Sequence, residues 1–88
     1  MSEIPITIRL AVNRQHIAEW LANKASAELS IETAARFREL GIPDERMEAN
    51  AKAQLQRALA ALKFLEERRA ELEQERGPAE AETQARAE

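Results

Sequence analysis

The segment from Asp44 to Arg76 constrains this chain most. It reads as one uninterrupted helix that is apolar on two nearly opposite sides. Leu55, Ala58, Leu62, Leu65 and Leu72 form one stripe. At 100° per residue, Ala49, Ala53, Ala60 and Phe64 form a second stripe, with Phe64 roughly 180° from Leu55. The leucine stripe has a rough heptad, with Leu55 and Leu62 on one seam line and Ala58, Leu65 and Leu72 on the other. Arg69 takes the position where the next leucine of the first line would stand. A helix apolar on two sides needs cover on both, and a short chain has few elements to provide it.

The rest of the chain explains the shortage. Eighty-eight residues make one small domain, and there is no cysteine to staple it or to hold zinc. Charged residues make up 33% and aromatics 3%, a composition that belongs to helical and coiled-coil proteins. Association with another chain is the remaining route to buried area. The net charge is −3, and no segment carries the basic excess that non-specific nucleic-acid binding requires. The longest apolar run is 58–62, far below the roughly 20 residues of a bilayer span. The first five residues lack the basic and apolar regions of a signal peptide, so a cytoplasmic protein is expected.

Ile4, Ile6, Ile8 and Leu10 alternate with Pro5, Thr7 and Arg9. Period two with β-branched residues predicts a short half-buried strand, or an extended arm, within residues 1–12. Asn13 suits an N-cap for a helix over 13–29, whose inner face is Ile17, Trp20, Leu21 and Lys24. Ser30 suits the cap of a second short helix over 31–40; one continuous helix across 14–40 is the alternative, since no Gly or Pro interrupts it. Gly41-Ile42-Pro43 stops that region, and the long helix follows over 43–76. Residues 77–88 are polar or alanine and predict a disordered tail. The expected fold is therefore mainly α. A short N-terminal strand or arm leads into one or two short helices, and a long C-terminal helix packs back on them as an antiparallel hairpin, in a homodimer. The expected core is Ile17, Trp20, Leu21, Ile31, Phe37, Leu55, Leu62 and Leu65.

No catalytic or metal constellation stands out. His16 is the only histidine, and Glu19 three residues on makes a helical surface pair without a nucleophile. No ligand spacing suggests a metal or cofactor. The leading expectation is a non-enzymatic regulator or adaptor that binds another protein, with Phe64, Ala60, Ala53 and Ala49 on one contact face and Ile6 and Ile8 of the strand in another.

Ile6-Thr7-Ile8-Arg9-Leu10 followed by two short helices resembles the ribbon-helix-helix family of repressors and antitoxins over about residues 4–40. The resemblance implies a paired strand that would turn Thr7 and Arg9 toward a DNA major groove, and a C-terminal helix that grips a toxin. Lys24-Ala25-Ser26-Ala27 stands where that family has its glycine-containing turn.

Overall fold

The computed structural model describes residues 4–77 and contains two helices joined by a tight turn. Helix α1 spans Ile6–Glu39 and helix α2 spans Glu45–Arg76. They lie antiparallel in a hairpin 60 Å long and 15 Å thin. Its radius of gyration is 18.9 Å, where a globular chain of this length has about 12 Å. There is thus very little interior.

The expected N-terminal strand is not there. Among the described residues there is no strand, and residues 6–10 form the first turns of α1. The physical reason is the backbone. A single strand leaves its N–H and C=O groups without a ladder, whereas a helix satisfies them internally, as Ile8 and Arg9 do by donating to the Pro5 carbonyl at 3.1 Å. The local β-branched alternation yields to a longer pattern. Ile6, Leu10, Asn13, Ile17 and Trp20 keep alternating steps of four and three, and that spacing continues through Lys24, Ala27, Ile31 and Ala34. The same continuity removes the expected break at Ser30. The two short helices are one helix of 34 residues. Asn13 does not cap it; it lies inside, 5% exposed. Thr33 Oγ1 donates back to the Leu29 carbonyl at 2.9 Å, which satisfies a hydroxyl without ending the helix.

The turn follows the sequence punctuation. Gly41 sits at φ 79°, and its N–H donates to Arg38 O while the Ile42 N–H donates to Phe37 O at 2.9 Å. These two bonds make a Schellman motif, which needs a residue at positive φ that glycine adopts without strain. Asp44 then caps α2, its Oδ1 accepting from the Met47 N–H at 3.0 Å, so Pro43 precedes the helix instead of opening it. Gly77, at φ 81°, ends α2 as expected. The tail residues 78–88 lie outside the described residues.

The seam differs from the expected core in one respect that matters later. Ala27, Ala34, Ala51, Ala58, Leu10, Leu65 and Leu72 are the buried apolar residues. The line Ala58, Leu65, Leu72 is the expected one. Leu55 and Leu62 on one side of it are half-buried, as are Gln54, Ala61 and Arg68 on the other, and Ile17, Trp20, Ile31 and Phe37 edge the seam in the same way from α1. Leu21 is 51% exposed.

Candidate functional surface

With no interior to hold a site, function must lie on the two broad faces of the hairpin. One recess is lined by Ile31, Ala35, Arg38, Glu39, Glu48 and Lys52. Ala35 of α1 and Glu48 of α2 therefore share a face. Stepping by sevens down α1 and up α2 sets Glu28 beside Leu55, Leu21 beside Leu62 and Arg14 beside Arg69 on that face. Leu59, 42% exposed, lies on the outer side of the same face. This is the leucine face. Its apolar centre is flanked by charge, with Arg14 and Arg69 toward the open end and Glu28 followed by the mixed Arg38, Glu48 and Lys52 cluster toward the turn.

A second recess joins Ser30, Asn50 and Gln54 on the opposite face. The same stepping places Asn23, His16 and Arg9 of α1 there, with Arg57, Phe64 and Glu71 of α2. Phe64 is 62% exposed, with Ala60 and Ala61 one turn before it and Glu67 and Arg68 one turn after it. Ala49, Ala53 and Ala60 are exposed along the outer edge of α2 beside it. At the open end, Ile8 and Val12 are exposed and line a shallow recess of about 220 Å³ with Leu72 and Arg68. Ile6 is half-buried and does not line that recess, so Ile6 and Ile8 do not act together.

Among the described residues, two ion pairs clamp the hairpin across its helices, while Lys24–Glu28, Arg36–Glu39, Arg68–Glu71 and Arg69–Glu66 join neighbours one turn apart within a helix. Arg9 donates to Glu75 Oε1 at 2.6 Å and ties the start of α1 to the end of α2. Arg38 pairs with Glu48, which also accepts from Lys52 Nζ at 2.9 Å, and this clamps the turn end. Hydrogen bonds from Arg38 and Lys52 hold the Glu48 carboxyl at about 2, well below its ordinary value, while the Arg38 guanidinium is pushed up by the same carboxylate. Asn13 Nδ2 donates to the Leu65 carbonyl at 3.1 Å, a buried polar bond across the seam.

The residues of the DNA-reading expectation are differently placed. Thr7 is exposed on a helix, and Arg9 is engaged by Glu75, with its side chain 17% exposed. The strand that carried the ribbon-helix-helix resemblance is replaced by helix, so that resemblance no longer describes residues 4–40. His16 Nδ1 lies 3.3 Å from Glu19 Oε2 in a pair open to solvent on both sides. Among the described residues no three metal-ligating side chains converge, and no helix is long and apolar enough to cross a membrane.

Leu21 and Leu59 are the site residues that sequence reasoning missed as surface. The signal was present: alanines at 27, 34, 51 and 58 recur by sevens, which marks a small-residue seam and displaces neighbouring leucines outward. No protein-family model matches the chain, and no curated protein or solved structure is significantly similar to it.

Proposed function

We propose that this chain is a non-enzymatic helical association module, a regulator or adaptor that works by packing its leucine face against helices of another polypeptide. One observation carries the reading. The chain fills its own seam largely with alanine and leaves leucines on a broad face, where their cover must come from outside. A folded two-helix hairpin with so thin a core is marginal by itself, and added helices on that face supply the missing apolar burial. Aromatic and aliphatic side chains clustered on a flat helical surface are the usual anchors of such contacts. Phe64 is a weaker anchor because it stands alone among alanines on one side and the charged Glu67 and Arg68 on the other.

The test is site-specific photo-crosslinking in intact cells. A benzoylphenylalanine replaces Leu59 on the leucine face, Phe64 on the opposite face, or Gln56 on the outer edge of α2. Discrete protein adducts are expected from position 59, fewer from 64 and none from 56. Equal yields from 59 and 56 would sink the reading.

A further inference from the structure

The α1 side of the leucine face is charged in a pattern that matches itself, and we infer that the occupant of the face is a second copy of this chain. This rests on the association reading and names the partner. Along α1 the face runs Arg14, Leu21, Glu28 at equal steps of seven. A two-fold axis lying in the face, perpendicular to the helices and passing at Leu21, exchanges Arg14 of one copy with Glu28 of the other. It also brings the Leu21 and Leu62 pairs of the two copies together at the centre, and it sets Leu55 of one copy against Arg69 of the other. Arg14 has no ion pair among the described residues, whereas Arg69 beside it pairs with Glu66 at 2.7 Å. Glu28 meets Lys24 at 3.5 Å in an exposed pair within α1, and the second copy brings that carboxylate to the unpaired Arg14.

The helix directions agree. Under this axis α1 stacks on α1 and α2 on α2, each antiparallel, so all four neighbouring helix pairs in the resulting bundle run antiparallel. Area is sufficient as well. A face about 50 Å long and 20 Å wide, from helix rise and diameter, exceeds the roughly 800 Å² per partner of a standard interface. Isologous contact of this kind closes on itself and leaves the Phe64 face free.

The experiment is sedimentation equilibrium of the full chain, with far-ultraviolet circular dichroism to confirm helicity. The wild type is expected at twice the 9.9 kDa chain mass at micromolar concentration. Leu62→Glu is expected to be monomeric. Arg14→Glu and Glu28→Arg each place like charges opposite one another, and each should weaken the dimer at least tenfold. Mixed one to one, the two variants should form a dimer again. One chain then carries acids at both positions and the other carries bases at both, so each of the two contacts pairs opposite charges. A monomeric wild type, or a mixture that associates no better than its components, overturns the two-fold dimer. Crosslinks from position 59 to a different polypeptide would still leave the association reading standing, so the two failures are distinguishable.

Discussion

The half of the hairpin beside the turn and the half at its open end are held by different side chains. Near the turn the seam is alanine on both helices, Ala27 and Ala34 against Ala51 and Ala58, all between 0% and 3% exposed. At the open end it is Leu10, Ile17, Trp20, Leu65 and Leu72, with Asn13 among them. Small residues let two backbones approach closely and gain from dispersion, whereas large ones hold the backbones apart and gain from buried area. That contrast accounts for the leucines this chain displays. Alanines leave no space between the helices near the turn, so Leu55 and Leu59 are pushed outward to the face. The open end absorbs Trp20, Leu65 and Leu72 in its seam, yet Ile8 and Val12 stay exposed there.

The largest effect should come from hollowing the open end. Leu72 is the largest fully buried side chain, at 2% exposure. Leu72→Ala removes its packing and leaves a cavity that the last turn of α2 only partly closes, at a cost of about 2–4 kcal/mol. Thermal unfolding followed by circular dichroism, at fixed protein concentration, measures it. A loss below that of a surface Leu59→Ala control would show that the open end is not held by burial.

The opposite change tests the turn half. Ala58 is 0% exposed, so Ala58→Leu forces the helices apart and should cost about 1–3 kcal/mol by overpacking. The same enlargement at exposed Ala60 should be close to neutral. If Ala58→Leu stabilises the hairpin, the alanine seam is looser than described, and the reason given for the outward leucines fails with it.

These two halves are unequally legible in the sequence. The turn is readable because Gly41 and Pro43 act locally, one by adopting positive φ and one by being unable to donate, whereas the Asp44 cap starts the helix later than expected. The long second helix and its Ala58, Leu65, Leu72 line are readable because their period is sustained over many turns. The first helix misleads at Ile6-Thr7-Ile8 because a few residues of alternation are weighed locally, while the competing heptad from Ile6 to Ala34 emerges only over the whole helix. Leu55 and Leu62, expected in the core beside Leu65, are only half-buried at its edge, and Leu21 is exposed. Leucine outweighs alanine in any apolar count, yet the small residues occupy the seam. The charge pattern Arg14, Leu21, Glu28 acquires meaning only once the hairpin fixes which residues share a face.

Asn13 offers a finer probe of the open half. Its amide spends one bond on the Leu65 carbonyl inside an otherwise apolar stretch. A single buried polar residue in a helical seam selects one register, since any slip strands it without a partner. Asn13→Ala should cost about 1 kcal/mol through the lost hydrogen bond and packing. Asn13→Leu should be neutral or stabilising yet loosen the pairing. A cysteine pair placed across the seam would then oxidise in more than one register. Unchanged cross-linking specificity in Asn13→Leu would assign register to the turn alone.

The smallest effect concerns the clamp at the turn, and it depends on pH. Arg38 and Lys52 hold the Glu48 carboxyl at about 2 in the folded chain, against an ordinary value of 4.5. A depressed acid favours the folded state while it is ionised in both states, so its contribution is whole above pH 4.5 and is lost as pH falls toward 2. Solvent reaches this cluster, and salt screens it, so the shift in midpoint should be modest and should shrink in added sodium chloride. Other carboxylates titrate over the same window, and the difference from Glu48→Gln isolates this one. The wild type should unfold at a higher temperature than the variant at about pH 6, with the gap closing steadily between pH 4.5 and 2. Parallel curves throughout would mean that the Schellman turn, the Asp44 cap and the alanine seam hold that end without the ion pair.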